Sequence, residues 1–185
     1  MSNLTRPETL DHRLRAGLGV VRATLATAIW GGSQAVYMRF RPNAPTWLPM
    51  RAHRGVCRAL GLSIDVHGTQ AGRTGVLFVA NHISWADIPV LGSMVLGTFV
   101  AKAEVSGMGM FGRLSDLQHT IYVDRERRSA TQNQRVRIAR RMADGHNIIL
   151  FPEGTSSNGT HVLPFKSSLF AVADAPDQYI LIQPV

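Results

Sequence analysis

The sequence predicts an α/β fold: a single domain with a mostly parallel sheet flanked by helices, preceded by an N-terminal helical segment that associates with a membrane. Three observations predict it. From residue 62 onward, short apolar runs of strand length alternate with longer helical patterns, the signature of βαβ units. Polar, chemistry-bearing residues follow directly on the apolar runs, as they do at the carboxyl ends of parallel strands. An apolar, basic-flanked stretch precedes residue 42 and is set off by Pro42, Pro45 and Pro49.

The N-terminal stretch comes first. Glu8 and Asp11 precede it and no clean cleavage pattern closes it, so it is not a signal peptide. Residues 23–38 are uncharged, with Arg22 before them and Arg39 and Arg41 after. A spanning helix needs about 20 mostly apolar residues. Gly31-Gly32-Ser33-Gln34 is expected to break this shorter run, which reads as an interfacial or re-entrant helix with Trp30 and Tyr37 near the headgroups. The plainer reading is an ordinary core helix. Residues 42–49 read as a linker, placing a domain boundary between residues 49 and 50.

Strands are expected at residues 62–67, 75–80, 98–103, 120–124, 147–151 and 179–182. Helices are expected at 88–96, loosely at 107–114, at 129–144 and at 166–173. The helix at 129–144 is the clearest, ended by Gly145 where a left-handed cap is wanted. Val185 follows an apolar strand without a polar tail, so the domain is expected to continue beyond it.

Composition narrows the function classes. With 185 residues the chain is long enough for one real core. Hydrophobic residues are 45% and charged residues 17%, which excludes disorder. Cys57 is the single cysteine, so an internal disulfide or a Cys-rich metal site is impossible. The net charge of +8 favours anionic partners. Aromatic content is only 7% and no RNA-binding or helix-turn-helix signature is present, which favours lipid headgroups over nucleic acid.

The chemistry centres on Asn81-His82-Ile83-Ser84-Trp85-Ala86-Asp87-Ile88-Pro89. His82 ends a buried strand, and Pro89 falls in the first turn of a helix. On a regular helix the two side chains stand roughly 140° apart, and on a strand an odd separation puts them on opposite faces. They meet only across a turn, which this context supplies. Paired in that way, Asp87 fixes the imidazole tautomer and His82 serves as a general base. The bland alternative is a helix N-cap at Asp87 beside a satisfied polar His82. Spacing alone does not decide: His119 and Asp124 share the interval, yet fall on an expected strand where alternation separates them.

Two further blocks end strands. Arg125 follows Ile121-Tyr122-Val123-Asp124 and has the bidentate fork for a phosphate or carboxylate, or is one more arginine of the cluster with Arg127 and Arg128. In Phe151-Pro152-Glu153-Gly154-Thr155 a buried strand breaks at proline, presents a carboxylate, and offers a glycine whose backbone can approach a ligand.

In this order the blocks resemble the glycerolipid (lysophospholipid) acyltransferase family, whose best-known members are the lysophosphatidic acid acyltransferases. The family's N-H-x-x-x-x-D motif is matched by Asn81, His82 and Asp87, and its apolar strand ending in arginine by residues 121–125. F-P-E-G-T is matched unchanged by residues 151–155, and an apolar-x-Pro motif weakly by Ile182-Gln183-Pro184. The resemblance spans about residues 60–185.

It implies that His82 deprotonates an acceptor hydroxyl, which attacks the thioester of acyl-CoA or acyl-carrier protein without an acyl-enzyme intermediate. Glu153 and Arg125 would position the acceptor, Gly154 would let backbone donors reach it, and Thr155 completes the binding motif. No metal or cofactor is implied. The implied partners are the acyl donor, a lysolipid acceptor and a membrane surface, with no nucleic acid. The implied location is the cytoplasmic face of the inner membrane, monotopic or peripheral.

Many phosphate-recognising members follow F-P-E-G-T with arginine, whereas Ser156 stands here. Lys166 is the candidate substitute; its plainer reading is a solvated residue at a helix start. Residues 156–166 look like members that acylate lyso-ornithine lipids in Gram-negative bacteria. Lysophosphatidate is the default acceptor on this reading and lyso-ornithine lipid the alternative. A serine hydrolase is disfavoured because no G-x-S-x-G elbow exists around Ser33, Ser84 or Ser156. A non-catalytic basic lipid-binding module would explain the charge but not three polar motifs at strand ends.

Overall fold

The continuous apolar runs of the strands require cover on both faces, and a parallel sheet between helices provides it. A computed structural model describes residues 10–41, 47–123, 128–170 and 180–185. Its helices are α1 (Leu10–Phe40), α2 (Trp47–Ala59), α3 (Asp87–Met94), α4 (Met110–Leu117), α5 (Arg128–Ala143) and the single turn α6 (Ser167–Phe170). The strands are β1 (Val76–Val79), β2 (Gly97–Lys102), β3 (Ile121–Val123), β4 (Asn147–Leu150) and β5 (Leu181–Pro184).

The five strands lie in the order β3-β2-β4-β1-β5, and every adjacent pair is parallel. β1 occupies an inner position, with Leu77 opposite Ile148 on β4 and Ile182 on β5. Strand alternation sorts its side chains to two cores. Leu77 and Val79 join Ile148, Leu150, Ile138 and Met142 under α5. Val76, Phe78 and Ala80 join Phe99, Ile149, Phe151 and Val95 on the other face. Gly145, at φ +84°, takes the left-handed conformation that lets the chain leave α5 and enter β4.

Several local expectations change. Residues 62–67 form no strand; Leu62 and Val66 remain exposed, and among the described residues no neighbouring strand gives this alternating segment a ladder. Gly31 and Gly32 do not interrupt α1, which continues to Phe40. Glycine costs about 1 kcal/mol within a helix, and here tertiary contacts outweigh it: α1 packs on α2 and α4, and Gln34, buried, donates Nε2–H to the carbonyl of Leu117. The expected linker at 42–49 is partly helix, because α2 begins at Trp47 and buries Pro49 in its first turn, where a missing N–H is harmless. The expected boundary at residue 50 falls inside α2; residues 42–46 lie outside the described residues.

The loose helix at 107–114 is displaced to α4, after a 3-10 turn at Ala103–Gly107. His119 lies in the turn before β3 with φ +57° rather than on the strand. Of the helix expected at 166–173, Ser167–Phe170 is observed and 171–173 lie outside the described residues. The last strand runs Leu181–Pro184 rather than from Tyr179, which also lies outside them.

Candidate functional site

β1 delivers the chain to the carboxyl edge of the sheet, where the N–H of Ala80 makes a last ladder-like bond to the carbonyl of Leu150. The chain then turns over residues 82–86 and re-enters a helix at Asp87. Asp87 is not the N-cap: that position is Ala86, and it makes no side-chain cap. Instead, Oδ2 of Asp87 accepts from the backbone N–H groups of Ile83 at 2.7 Å and Ser84 at 3.0 Å, and lies 2.8 Å from Nδ1 of His82. One oxygen thus closes the turn and holds the imidazole.

An ionised carboxylate only accepts, so Nδ1 carries the hydrogen of that bond and the lone pair of the neutral ring is on Nε2. The His82 and Asp87 side chains are 18% and 25% exposed, shielded yet reachable. The His82 ring stacks on Phe151, with centroids 4.3 Å apart and planes 19° from parallel.

His82 opens onto a cleft of about 510 Å³. Ile88, Phe99, Val100, Val105, Met108 and Phe151 give it an apolar lining, while Lys102, Ser115, Gln118 and Thr120 add polar groups. Gly154, Thr155 and Ser156 form part of its wall, and Gly154 has φ +76°, the conformation a side chain would strain.

The structure brings His82, Asp87, Glu153, Gly154 and Thr155 to one edge of the sheet. Glu153 is only 2% exposed and is not among the residues lining the cleft. Its Oε1 accepts from the N–H of His82 at 2.6 Å and its Oε2 from the N–H of Leu163 at 2.8 Å. Lys166 is exposed and outside the cleft lining; its backbone N–H donates to the carbonyl of Pro152. Arg125 lies outside the described residues. Sequence reading missed Lys102, the last residue of β2, which lines the cleft. The signal was available, since Lys102 ends its strand as His82 follows another.

Among the described residues no group of three or more His, Cys, Asp or Glu side chains is arranged to hold a metal ion. Among the same residues, no helix is long and apolar enough to cross a membrane.

Residues 63–185 match the family model described as Acyltransferase. A lyso-ornithine lipid O-acyltransferase of Rhizobium meliloti (strain 1021) is 44% identical over 75% of this chain and 49% of its own. Another of that name from Brucella abortus (strain 2308) is 38% identical over 82% of this chain and 59% of its own. The chain therefore spans between about half and three-fifths of the length of these relatives. The crystal structure of the 1-acyl-sn-glycerophosphate acyltransferase of Thermotoga maritima has the same fold, with a TM-score of 0.61, 23% identity, and coverage of 89% of this chain and 69% of that one. With the family model covering most of its length, the chain belongs to the acyltransferase family.

Proposed function

We propose that this protein is a lysolipid O-acyltransferase that carries a fatty acyl group from acyl-CoA or acyl-carrier protein to a hydroxyl of a lyso-ornithine lipid. The observation that carries the reaction is a histidine whose Nδ1 is tied to a carboxylate and whose ring opens on an apolar cleft. Nε2 of His82 takes the proton of the acceptor hydroxyl as its oxygen attacks the thioester carbonyl. The C–S bond then breaks, and the leaving thiolate takes the proton back from the imidazolium. Asp87 stabilises the charged ring between the two transfers. The apolar cleft suits the acyl chain, and Gly154 and Thr155 flank the acceptor.

Two features support the acceptor: both relatives above are named for lyso-ornithine lipid, and Ser156 stands where phosphate-recognising members carry arginine. Ornithine offers a carboxylate, for which the single charge of Lys102 is enough. Lysophosphatidate is the second reading, favoured by Lys102 in the cleft and, from the sequence alone, by the family's arginine at Arg125; Lys166, exposed outside the cleft lining, adds less. A phosphate monoester carries a charge near −2 and calls for more than one such contact. The protein works from the cytoplasmic face of the inner membrane as a monotopic or peripheral enzyme. Exposed Leu14, Leu18, Val21, Leu25 and Ile29 recur at helical spacing along α1 and support that attachment.

The test is acceptor-dependent release of free thiol, with the lipid product identified by mass spectrometry. Release in the presence of lyso-ornithine lipid, exceeding that with lysophosphatidate, is expected. Release without any acceptor would make the protein a thioesterase instead. Lys102→Ala should raise the KM for lysophosphatidate by about tenfold, roughly 1.4 kcal/mol of lost charge-assisted binding. An unchanged KM for both lipids would remove Lys102 from the acceptor site.

A further inference from the structure

The family pattern places Glu153 among the groups that meet the acceptor, but its geometry aims elsewhere. The side chain is buried, and both carboxylate oxygens are engaged by backbone N–H groups from two different segments, His82 and Leu163. The remaining freedom of His82 is taken up nearby: its carbonyl accepts from the N–H of Ser157 at 2.8 Å, and its ring lies on Phe151. With Nδ1 bound to Asp87, both backbone groups, one ring face and one ring nitrogen are fixed.

We propose that Glu153 is a positioning residue rather than an acceptor ligand: a buried clamp that grips the His82 backbone through Oε1 and the 155–166 loop through Oε2. It acts through His82, keeping Nε2 at the cleft. The choice of residue follows from hydrogen-bond inventory. Two N–H donors converge on one side chain, and a carboxylate accepts at both oxygens. A glutamine accepts at one and turns a donor NH2 toward the other N–H, leaving two donors opposed. An aspartate keeps the charge but is one methylene too short to reach both segments.

The proposal rests on the acyl-transfer reading, and its test separates the two. Glu153→Gln is compared with the wild-type chain for thiol release from acyl-CoA with lyso-ornithine lipid. A lost clamp should lower kcat by about ten- to a hundredfold, the scale of a small misplacement of a reacting group, and leave the lysolipid KM within about twofold. Imidazole nitrogen NMR is the second readout: the His82 signals, assigned by their loss in His82→Ala, should shift in Glu153→Gln while those of His53 stay in place. If Glu153→Gln does not fold, Glu153→Asp carries both measurements with the same expected directions. A raised lysolipid KM with kcat preserved would overturn the clamp and return Glu153 to the acceptor site. Unmoved His82 signals would overturn it too. A wild-type chain without acyl transfer would sink the reaction while the NMR comparison still judged the clamp.

Discussion

His82 and His53 are each held by one side-chain oxygen at nearly the same distance, 2.8 Å from Asp87 and 2.9 Å from Gln118. They differ in what that oxygen can do. Asp87 carries a charge that an imidazolium would share, and His82 faces the cleft. Gln118 is neutral. His53, 9% exposed on α2, packs so closely on Gly92 of α3 that a Cβ there would collide with its ring, and it meets Phe99 edge-on. Burial lowers the pKa of His53, partly opposed by the Gln118 hydrogen bond. On the proposed reading one histidine serves as the base, while the burial of the other disfavours its charged form. A histidine with a hydrogen-bond partner is therefore not yet a base; a charge beside it and an open ring nitrogen make the difference.

The contrast is broken first at His82. His82→Ala should lower turnover by at least about a hundredfold, the usual scale for a lost general base, while His119→Ala leaves turnover nearly unchanged. Comparable losses from both would dissolve the distinction between the two H-x-x-x-x-D intervals.

His53→Ala tests the other side. Removing a buried ring and leaving Gln118 without its partner should destabilise the fold by about 2–4 kcal/mol, read as a lowered urea midpoint. The kcat of the folded fraction should stay within about twofold of wild type. A large loss of kcat without a loss of stability would place His53 in the reaction.

The smallest effect sharpens the comparison through pH. The folded-state pKa of His53 lies below its ordinary value near 6.5, so below that pH the unfolded chain binds a proton that the folded one resists. His53 stabilises the fold fully above about pH 6.5, and that contribution fades as pH falls toward the folded pKa. His146, lowered by burial and by Arg141, acts in the same direction. Unfolding free energy measured from pH 7.5 down to 5.5 should decline, and His53→Gln should flatten the decline. An equal slope in the variant would mean that His53 titrates normally.

These two histidines also mark how far local pattern reaches. The His82–Asp87 turn was legible because strand end, turn and Pro89 lie within nine residues. The alternation of strands and helices was legible for the same reason, since periodicity is a local signal. His53 gave no signal, because its partner Gln118 is 65 residues away. Glu153 stands out in its motif, but the backbone N–H of His82 that it binds lies 71 residues away in the sequence. The failures at Gly31-Gly32 and at residues 62–67 share that cause. Whether glycines break a helix, or an alternating run becomes a strand, was decided by what packed against them or did not.

The strand order carries a consequence for the ribosome. β1 is flanked by β4 and β5, both made much later, so the inner sheet cannot assemble when β1 first emerges. At about 5–20 residues per second, the 71 residues between His82 and Glu153 cost the nascent chain several seconds. α1 and α2, which pack on each other, are complete before β1 begins. For that interval the exposed leucines and valines of α1 have no finished domain beside them. The helix pair can therefore meet its surroundings before the His82–Asp87 turn has taken shape.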